Sequence, residues 1–364
     1  MTDTSKRLRV AVWTTGKVAR QAVRAIVARP DLELIGAYTF SPEKRGVDLG
    51  TLVGLAEPLG VVATSDVTSL LALDLDCVLY APLHLDVREV AALLRAGVNV
   101  VTTSEFMTGI SLAPDECAEL RGAAQDGGAS LFGTGMNPGF AQLLAAVTAG
   151  ISIGVEHVAV WESVDVSEYA NDPNSAALGW GRPGNDPGHA DAVREGTAVF
   201  RDAVDVLGRL LGVTYDEVRC DVEFAHATET VEITGMTIEA GHVAGMDVNW
   251  NGVLDGRDVV SIRQRWLASP RIEPPWKVEH GYVVEVKGDP CLRLKLDIWP
   301  TPHDLANLTK ETMHNIGMRI TAVPAVNAIP TVCAAAPGIQ TYADLPVITS
   351  PMRSRRPEQR TAPA

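Results

Sequence analysis

The sequence predicts an α/β fold in which an N-terminal, doubly wound parallel sheet is followed by a second, α+β domain on an antiparallel sheet. In the first part of the chain, short apolar runs alternate with amphipathic helical patterns, which is typical of parallel strands covered by helices on both faces. After Pro138 the pattern changes to long stretches of alternating polar and apolar residues, with turn signals such as Asp255-Gly256 between them. Successive strands joined by such turns favour an antiparallel sheet.

The first part opens with its clearest elements, a strand, a helix and a second strand. Residues 9–13 form a short apolar run, residues 18–28 place apolar side chains on one helical face, and residues 32–40 form the next apolar run. Similar patterns predict strands at 61–63, 77–80, 98–102 and 129–133, and helices over 86–96 and 113–127. We assign residues 1–137 to this domain.

The second part contains most of the predicted strands. Helical patterns cover residues 140–149 and 190–211, with a strand at 155–166 and a loop rich in glycine, proline and asparagine at 171–188 between them. Strands follow at 218–226, 229–238, 244–254, 259–267, 281–286 and 292–299, and then a helix over 312–322. We assign residues 138–305 to a substrate-binding and dimerisation domain, 306–350 to a segment that packs back on the first domain, and 351–364 to a flexible tail.

The charge balance argues against a nucleic-acid partner. The 364 residues include 31 basic and 45 acidic side chains, which gives a formal net charge of −14. Nucleic-acid-binding proteins are expected to present a basic face. The basic run at 353–356 lies in the proline-rich tail, where a frayed terminus is the simpler interpretation.

Cysteine usage and hydropathy indicate a cytoplasmic protein. The five cysteines show no CxxC or CxxH spacing, and an odd number suits a reducing compartment better than a disulfide framework. His226, His242 and His280 also lack ligand-like spacing, so we expect no metal site. No stretch provides the roughly 18 uninterrupted apolar residues of a membrane span, and the polar start has no signal-peptide pattern.

The turn after the first strand is a candidate phosphate-binding turn. It comprises Thr14, Thr15, Gly16, Lys17 and Val18 and leads directly into a predicted helix. In Rossmann-type dinucleotide-binding domains, backbone amides of this turn and the helix N-terminus receive the pyrophosphate. Only Gly16 of the three expected glycines is present, so an ordinary strand-to-helix turn without a ligand is the alternative.

The end of the second strand favours NADP(H), with NAD(H) as the alternative cofactor. An acidic residue that binds the NAD ribose is expected there, but Ser41, Lys44 and Arg45 follow the strand instead. A hydroxyl group and two cations suit a 2′-phosphate. A solvated loop is the competing interpretation of the two cations.

Two further strand ends are expected at the ligand-binding edge of the parallel sheet. Ala81 and Pro82 close one strand with small residues that allow close approach of a cofactor, and Glu105 follows the other. A carboxylate at the mouth of a dinucleotide cleft can exchange a proton during hydride transfer. The alternative is a helix-capping or surface glutamate. No lysine or cysteine occupies this position, which favours chemistry on an amine or iminium.

Several motifs resemble those of the dihydrodipicolinate-reductase-like group, which includes 2,4-diaminopentanoate dehydrogenase and the native amine dehydrogenases. They are VWTTGKVAR (12–20), SPEKRGVDLG (41–50), VLYAPL (78–83), GVNVVTT (97–103), GTGMNPGF (133–140) and NAIP (327–330). The resemblance implies reductive amination of a carbonyl with NADPH or NADH, with Glu105 holding ammonia or the iminium. Thr103, Asn137 and Asn327 lie in these motifs and are expected to contact the cofactor. The His-His pair of true dihydrodipicolinate reductases is missing from the sequence.

The second domain is expected to supply the substrate pocket. Trp161 and Tyr169 lie on or just after the strand that follows the interdomain helix, and Trp180 and His189 flank a glycine-rich loop with the composition of a lid. Core packing is an equal alternative for Trp161, and helix capping for His189. The open face of the antiparallel sheet needs a cover, which favours a homodimer through this domain.

The sequence therefore predicts an NAD(P)H-dependent amine dehydrogenase acting on a small carbonyl or amine substrate and ammonia. An oxidoreductase acting on a C–O or C=C bond, with the same cofactor cleft, is the nearest enzymatic alternative. A regulatory protein that binds NADPH without turnover is the alternative from another functional class.

Overall fold

The computed structural model describes residues 6–168, 170 and 173–352. The predicted pocket residue Tyr169, the basic run at 353–356 and most of the predicted tail lie outside the described residues. The strands are β1 (Leu8–Trp13), β2 (Leu32–Tyr38), β3 (Ala63–Thr64), β4 (Cys77–Tyr80), β5 (Asn99–Thr102), β6 (Ser130–Gly133), β7 (Ile153–Asp165), β8 (Glu217–Ala227), β9 (Val231–Ile233), β10 (Met236–Ile238), β11 (Val243–Leu254), β12 (Arg257–Leu267), β13 (Ile272–Glu273), β14 (Gly281–Asp289), β15 (Leu292–Leu296) and β16 (Gly338–Gln340). The helices are α1 (Lys17–Val27), α2 (Leu49–Leu52), α3 (Val67–Leu71), α4 (Val87–Arg95), α5 (Pro114–Gly127), α6 (Ala141–Ala149), α7 (Pro173–Ala176), α8 (His189–Gly196), α9 (Val199–Leu211), α10 (Pro302–Ala306) and α11 (Lys310–Cys333).

The first sheet confirms the predicted doubly wound architecture. Its strand order is β16-β6-β5-β4-β1-β2-β3, and every pair in it is parallel. Helices α1 and α11 contribute to the core on one face, and α4 and α5 contribute to the core on the other. The strand order reverses at β1, between β2 and β4, and ligands of such sheets bind beyond the carboxyl ends of the strands at this point.

The second sheet is mixed, which differs in one pair from the predicted antiparallel sheet. Its order is β13-β8-β11-β12-β7-β14-β15, and β7 runs parallel to β12 while the other pairs are antiparallel. The parallel pair arises because helices α8 and α9 connect β7 to the rest of the sheet, and parallel strands need such a crossover. The predicted strand at 229–238 is a separate hairpin of β9 and β10.

Helices α6 and α9 cover one face of the second sheet and build its core. Val158 and Val160 of β7, Val248 of β11 and Ile262 of β12 are buried on that face. The predicted helix over 190–211 is broken into α8 and α9. At the break, the buried Thr197 hydroxyl donates to the Val193 carbonyl at 2.7 Å and accepts from the Trp250 indole N–H at 3.2 Å.

Helix α11 is longer than the predicted helix over 312–322 and continues through Pro324 and Pro330. A proline inside a helix removes one backbone hydrogen bond, so tertiary packing must compensate. Buried residues along α11 supply that packing, among them Val326 and Ile329 in the core of the first domain. By length and composition alone α11 also resembles a membrane-spanning helix, but its inner face packs against α1 and β5.

Candidate functional site

The turn after β1 has the geometry of an anion-binding turn. Thr14 adopts a positive φ of 94°, its N–H donates to the Tyr38 carbonyl at 3.0 Å, and its hydroxyl donates to the Ala81 carbonyl at 3.2 Å. Gly16 precedes α1, whose N-terminus has no side-chain cap and no acidic residue in its first turn. A Cβ added to Gly16 would meet nothing within 4 Å. The N–H groups of this helix start are therefore accessible to a phosphate group, so the turn fits the pyrophosphate of a dinucleotide.

The segment after β2 carries both charge signs. Ser41 precedes a tight turn at Pro42–Lys44, Lys44 is half-buried and Arg45 is exposed. Burial raises the pKa of the Tyr38 phenol, the charge of Glu89 adds to that rise, and the Arg45 charge opposes it. The turn also carries the exposed Glu43, an acid that the prediction of NADP(H) did not weigh.

The carboxyl ends of β1, β4, β5 and β6 meet at one edge of the first sheet. The Ala81 N–H donates to the Trp13 carbonyl and the Thr103 N–H to the Tyr80 carbonyl, both at 3.1 Å. The Ser104 hydroxyl donates to the Pro82 carbonyl at 2.8 Å. These bonds bring the predicted cofactor residues Ala81, Pro82 and Thr103 together with the turn at Thr14.

Glu105 lies at this edge, and its nearest charged partner is a histidine that the sequence analysis left unassigned. The Glu105 Oε2 atom is 3.0 Å from His84 Nδ1. The Glu105 side chain is 48% exposed and that of His84 is 74% exposed, so both groups can exchange protons with water. The position of His84, two residues after Pro82 at the end of β4, was the signal that could have identified it.

The half-buried carboxyl group of Glu162 lies on β7, the strand from which part of the substrate pocket is predicted, and it accepts hydrogen bonds from two side chains. The Asn137 amide donates to Glu162 Oε2 at 2.7 Å, and the Trp266 indole N–H donates to Oε1 at 3.1 Å. Burial raises the pKa of Glu162, and the two hydrogen bonds oppose that rise. Asn137 Oδ1 also accepts from the Gln142 amide at 3.0 Å. The side chain of Asn137 thus makes one hydrogen bond through each of its two polar atoms, which fixes its orientation.

Of the predicted pocket residues that the structure describes, Trp180 and His189 are buried, whereas Trp161 is half-buried. Trp161 points to the opposite face of the second sheet from Glu162, because neighbouring side chains on a strand alternate, and the Arg263 guanidinium lies 4.5 Å from its ring centroid. Trp180 is 6% exposed and donates to Ser175 Oγ at 2.9 Å. His189 Nε2 lies 2.7 Å from the Leu178 carbonyl oxygen, and its ring stacks on Phe224. Trp180 and His189 therefore serve the core of the second domain.

Asn327 lies apart from the phosphate-binding turn. Its Oδ1 accepts from Arg29 Nη1 at 3.0 Å, beyond the C-terminal end of α1, whereas Gly16 precedes the N-terminal end. An 11-residue helix separates the two positions by roughly 16 Å. Asn327 instead lines a largely apolar cavity of about 560 Å³ together with Met136, Phe140 and Tyr342.

No group of three or more His, Cys, Asp or Glu side chains with metal-binding geometry occurs within residues 6–168, 170 and 173–352. The edge of the first sheet thus presents two features. One is the start of α1, which is suited to a phosphate group, and the other is the Glu105 carboxylate beside the His84 imidazole. Together they can bind a dinucleotide and transfer protons.

Comparison with known proteins confirms the resemblance drawn from the motifs. Residues 141–361 match the family described as 2,4-diaminopentanoate dehydrogenase C-terminal domain. An amine dehydrogenase from Streptomyces virginiae is 29% identical over 351 residues, which cover 92% of this chain and 95% of that protein. A 4-hydroxy-tetrahydrodipicolinate reductase from Trichormus variabilis is 48% identical over 56 residues, which are 15% of this chain and 20% of that protein.

The fold has a solved counterpart over nearly the whole chain. The structure of the amine dehydrogenase from Mycobacterium smegmatis superposes with a TM-score of 0.76 at 23% identity, and the match covers 96% of this chain and 98% of that one. The match to the family covers more than half of the present chain. The protein therefore belongs to the 2,4-diaminopentanoate dehydrogenase C-terminal domain family, within the dihydrodipicolinate-reductase-like group, and is a nicotinamide-dependent oxidoreductase.

Proposed function

We propose that the protein reductively aminates a small ketone or aldehyde with ammonia and, in reverse, oxidatively deaminates the corresponding amine. The observation that carries this proposal is the position of Glu105. It follows β5 at the ligand-binding edge of the first sheet, and its carboxylate lies 3.0 Å from the His84 imidazole. The similarity to the amine dehydrogenase from Streptomyces virginiae supports the same reaction.

The chain's own residues would handle the protons of the reaction. The Glu105 carboxylate takes a proton from ammonium, and the ammonia released adds to the carbonyl carbon to give a carbinolamine. The protonated Glu105 then gives that proton to the carbinolamine hydroxyl, which leaves as water, so that an iminium cation remains beside the carboxylate. His84 exchanges protons between Glu105 and solvent. When bound, a reduced nicotinamide supplies the hydride that converts the iminium to the amine.

The test of this function compares ammonium-dependent turnover in the wild type and in Glu105→Gln. We expect oxidation of NADPH or NADH with a panel of ketones and aldehydes only when ammonium is present. Glu105→Gln keeps the side-chain shape but removes the proton acceptor, so kcat should fall at least roughly a hundredfold. Glu119→Gln is the matched control, because Glu119 pairs with Arg95 on the exposed surface of the same domain.

The outcomes of this assay distinguish the alternatives. Consumption of the cofactor without ammonium would indicate an oxidoreductase acting on a C–O or C=C bond. Binding of the cofactor without consumption would indicate a regulatory protein. An unchanged rate in Glu105→Gln would remove Glu105 from the mechanism.

We propose that residues 14–18 hold the pyrophosphate and that NADP(H) is the favoured cofactor. Lys44 and Arg45 support this preference, and Glu43 in the same turn supports NAD(H) instead. If the cations bind a 2′-phosphate, Lys44→Ala/Arg45→Ala should raise the Kd for NADPH about tenfold or more, with little change for NADH. A wild-type preference for NADH that Glu43→Gln abolishes would reverse the assignment.

We further propose a cytoplasmic homodimer formed through the open face of the second sheet. Acidic residues such as Glu223 lie on β8 near one edge of this face, and the basic residues Arg293 and Lys295 lie on β15 at the other. A twofold axis running along the strands between two such faces places β8 of each copy opposite β15 of the other. Arg293 pairs within its own chain with Glu279 and Glu285, and Lys295 pairs with Asp297. In the proposed dimer the acidic groups of β8 of the other copy would share these basic groups.

A further inference from the structure

The loop that carries Glu105 is held by a single carboxylate from the second domain. Asp202 on α9 is 1% exposed. Its Oδ2 accepts from the backbone N–H groups of Met107, Thr108 and Gly109 at 3.0, 2.9 and 3.0 Å. Its Oδ1 accepts from the Ser111 N–H at 2.9 Å and the Ser111 hydroxyl at 2.5 Å. Both carboxylate oxygens are thus occupied by five donors from one short segment.

This arrangement makes the conformation of the loop and the buried charge depend on each other. A buried carboxylate is costly unless hydrogen bonds compensate for lost hydration. Here three successive backbone N–H groups form a concave anion site of the kind seen where backbone dipoles bind anions. If the loop unfolded from α9, the carboxylate would lose its compensation, so the loop is expected to stay docked.

The segment between Asp202 and Glu105 is short and well packed. Phe106, which separates Glu105 from Met107, is fully buried in the core of the first domain. Its carbonyl approaches Gly133 so closely that an added Cβ would lie 1.9 Å from the oxygen. A shift at Met107 is therefore transmitted to Glu105 rather than absorbed by a flexible linker.

We propose that Asp202 is a positioning residue for the reaction: it fixes Glu105 at the cofactor edge and ties that position to the second domain. This inference rests on the proposed function of Glu105. Asp202 acts through the loop backbone, whereas Glu105 is the residue that meets the reacting atoms. Displacement of a reacting group by about 1 Å can cost a hundredfold in rate.

The test compares Asp202→Asn with Asp205→Asn on the same helix, whose carboxylate forms an exposed ion pair with Arg209 at 2.9 Å. We expect Asp202→Asn to lower kcat about tenfold or more and to leave the Kd for the cofactor within about twofold. Asp205→Asn should leave both within about twofold.

A double-mutant cycle separates positioning from a general loss of stability. If Asp202 acts through Glu105, Asp202→Asn should change the residual rate of Glu105→Gln less than about twofold. A full multiplicative loss in that background, or an unchanged kcat in Asp202→Asn alone, would overturn the inference. If Asp202→Asn does not fold, Ser111→Ala removes one of the five donors and should give a smaller loss of kcat in the same direction.

Hydrogen exchange tests the anchor without any assay of activity. The amides of Met107, Thr108 and Gly109 should exchange slowly in the wild type although they lie outside helices and strands, and fast in Asp202→Asn. Fast exchange of these amides in the wild type would contradict the proposal. If the wild type shows slow exchange but no ammonium-dependent turnover, the proposed reaction is wrong while the anchoring of the loop stands.

Discussion

At the scale of single residues, Thr14 is the departure from the dinucleotide-binding pattern that needs a physical explanation. A φ of 94° is a conformation that glycine adopts freely and β-branched residues rarely do, at a cost of about 1–3 kcal/mol. The hydroxyl recovers part of this cost, because it donates to the Ala81 carbonyl at the end of β4. The missing glycine is thus replaced by a side chain that joins two strand ends at the ligand-binding edge.

This explanation predicts an order of stability among two variants of Thr14. Thr14→Ala loses the hydroxyl bond but keeps a Cβ in the strained conformation, whereas Thr14→Gly loses the bond and also the strain. We expect Thr14→Gly to be more stable than Thr14→Ala by about 1 kcal/mol in urea unfolding. An alanine variant as stable as the glycine variant would show that residue 14 does not hold a positive φ in solution.

The limits of the sequence analysis also begin at this scale. Glu105 was found because its signal is local: a carboxylate directly after a buried strand. Asp202 bonds to Met107 across 95 positions of the chain, and Glu162 bonds to Asn137 across 25. No local sequence pattern near either residue of a pair indicates its partner, so only the fold reveals these pairs.

At the scale of elements, patterns that depend on neighbouring residues were predicted correctly and those decided by packing were not. The turn at Asp255-Gly256 is confirmed, because both residues take the positive φ that such hairpin turns need. The break between α8 and α9 at Thr197 depends on the contact of Thr197 with Trp250. The continuation of α11 through Pro324 depends on the packing of α11 in the core of the first domain. Local patterns carry no information about these partners.

Strand β7 carries two glutamates whose ionisation should affect stability in opposite directions. Burial raises the pKa of Glu162 above that of an ordinary glutamate. The stability that protonated Glu162 contributes is therefore present at low pH and is lost as the pH rises from the ordinary pKa of a glutamate through the raised pKa of Glu162. The Lys287 ammonium, 2.6 Å from the Glu156 carboxylate, lowers the pKa of Glu156. The stability that the pair of Glu156 and Lys287 contributes is present when the pH is above the ordinary pKa of a glutamate. It is lost as the pH falls through the lowered pKa of Glu156.

We therefore expect Glu162→Gln and Glu156→Gln to respond to pH with opposite signs. The loss of Tm caused by Glu162→Gln should shrink between about pH 4 and about pH 8, and that caused by Glu156→Gln should grow. Each variant serves as the control for the other, since both remove one carboxyl group from the same strand. Parallel pH profiles for the two variants would contradict the assigned burial of Glu162.

At the scale of the whole molecule, the two domains share apolar packing, with Leu143 and Val206 of the second domain in the core of the first. They also make specific polar contacts close to the proposed reaction centre. Asp202 of the second domain holds the loop after β5, and Glu162 holds Asn137 in the turn after β6. Both contacts join the ends of strands in the first sheet to elements of the second domain. The relative position of the domains and the shape of the site are thereby fixed together.

The proposed dimer depends on charged residues at the open face of the second sheet, and reversing the charge of one of them tests it. Glu223 is exposed on β8 and would face Arg293 and Lys295 on β15 of the other copy, where it would join the ion pairs that these two residues already form. Glu223→Lys places like charges in contact, which costs several kcal/mol in an interface, so the dimer Kd should rise at least about tenfold in low salt. Analytical ultracentrifugation at two salt concentrations measures this change, and screening should reduce it at high salt.

Glu195→Lys on α8 is the matched control, because it makes the same change in net charge on the helical side of the sheet. The chain carries a net charge of −14, so either substitution reduces the general repulsion between two copies. General repulsion alone would make both variants associate more strongly. Weaker association of Glu223→Lys but not of Glu195→Lys therefore requires a local contact at the open face, and equal behaviour of the two would place the interface elsewhere.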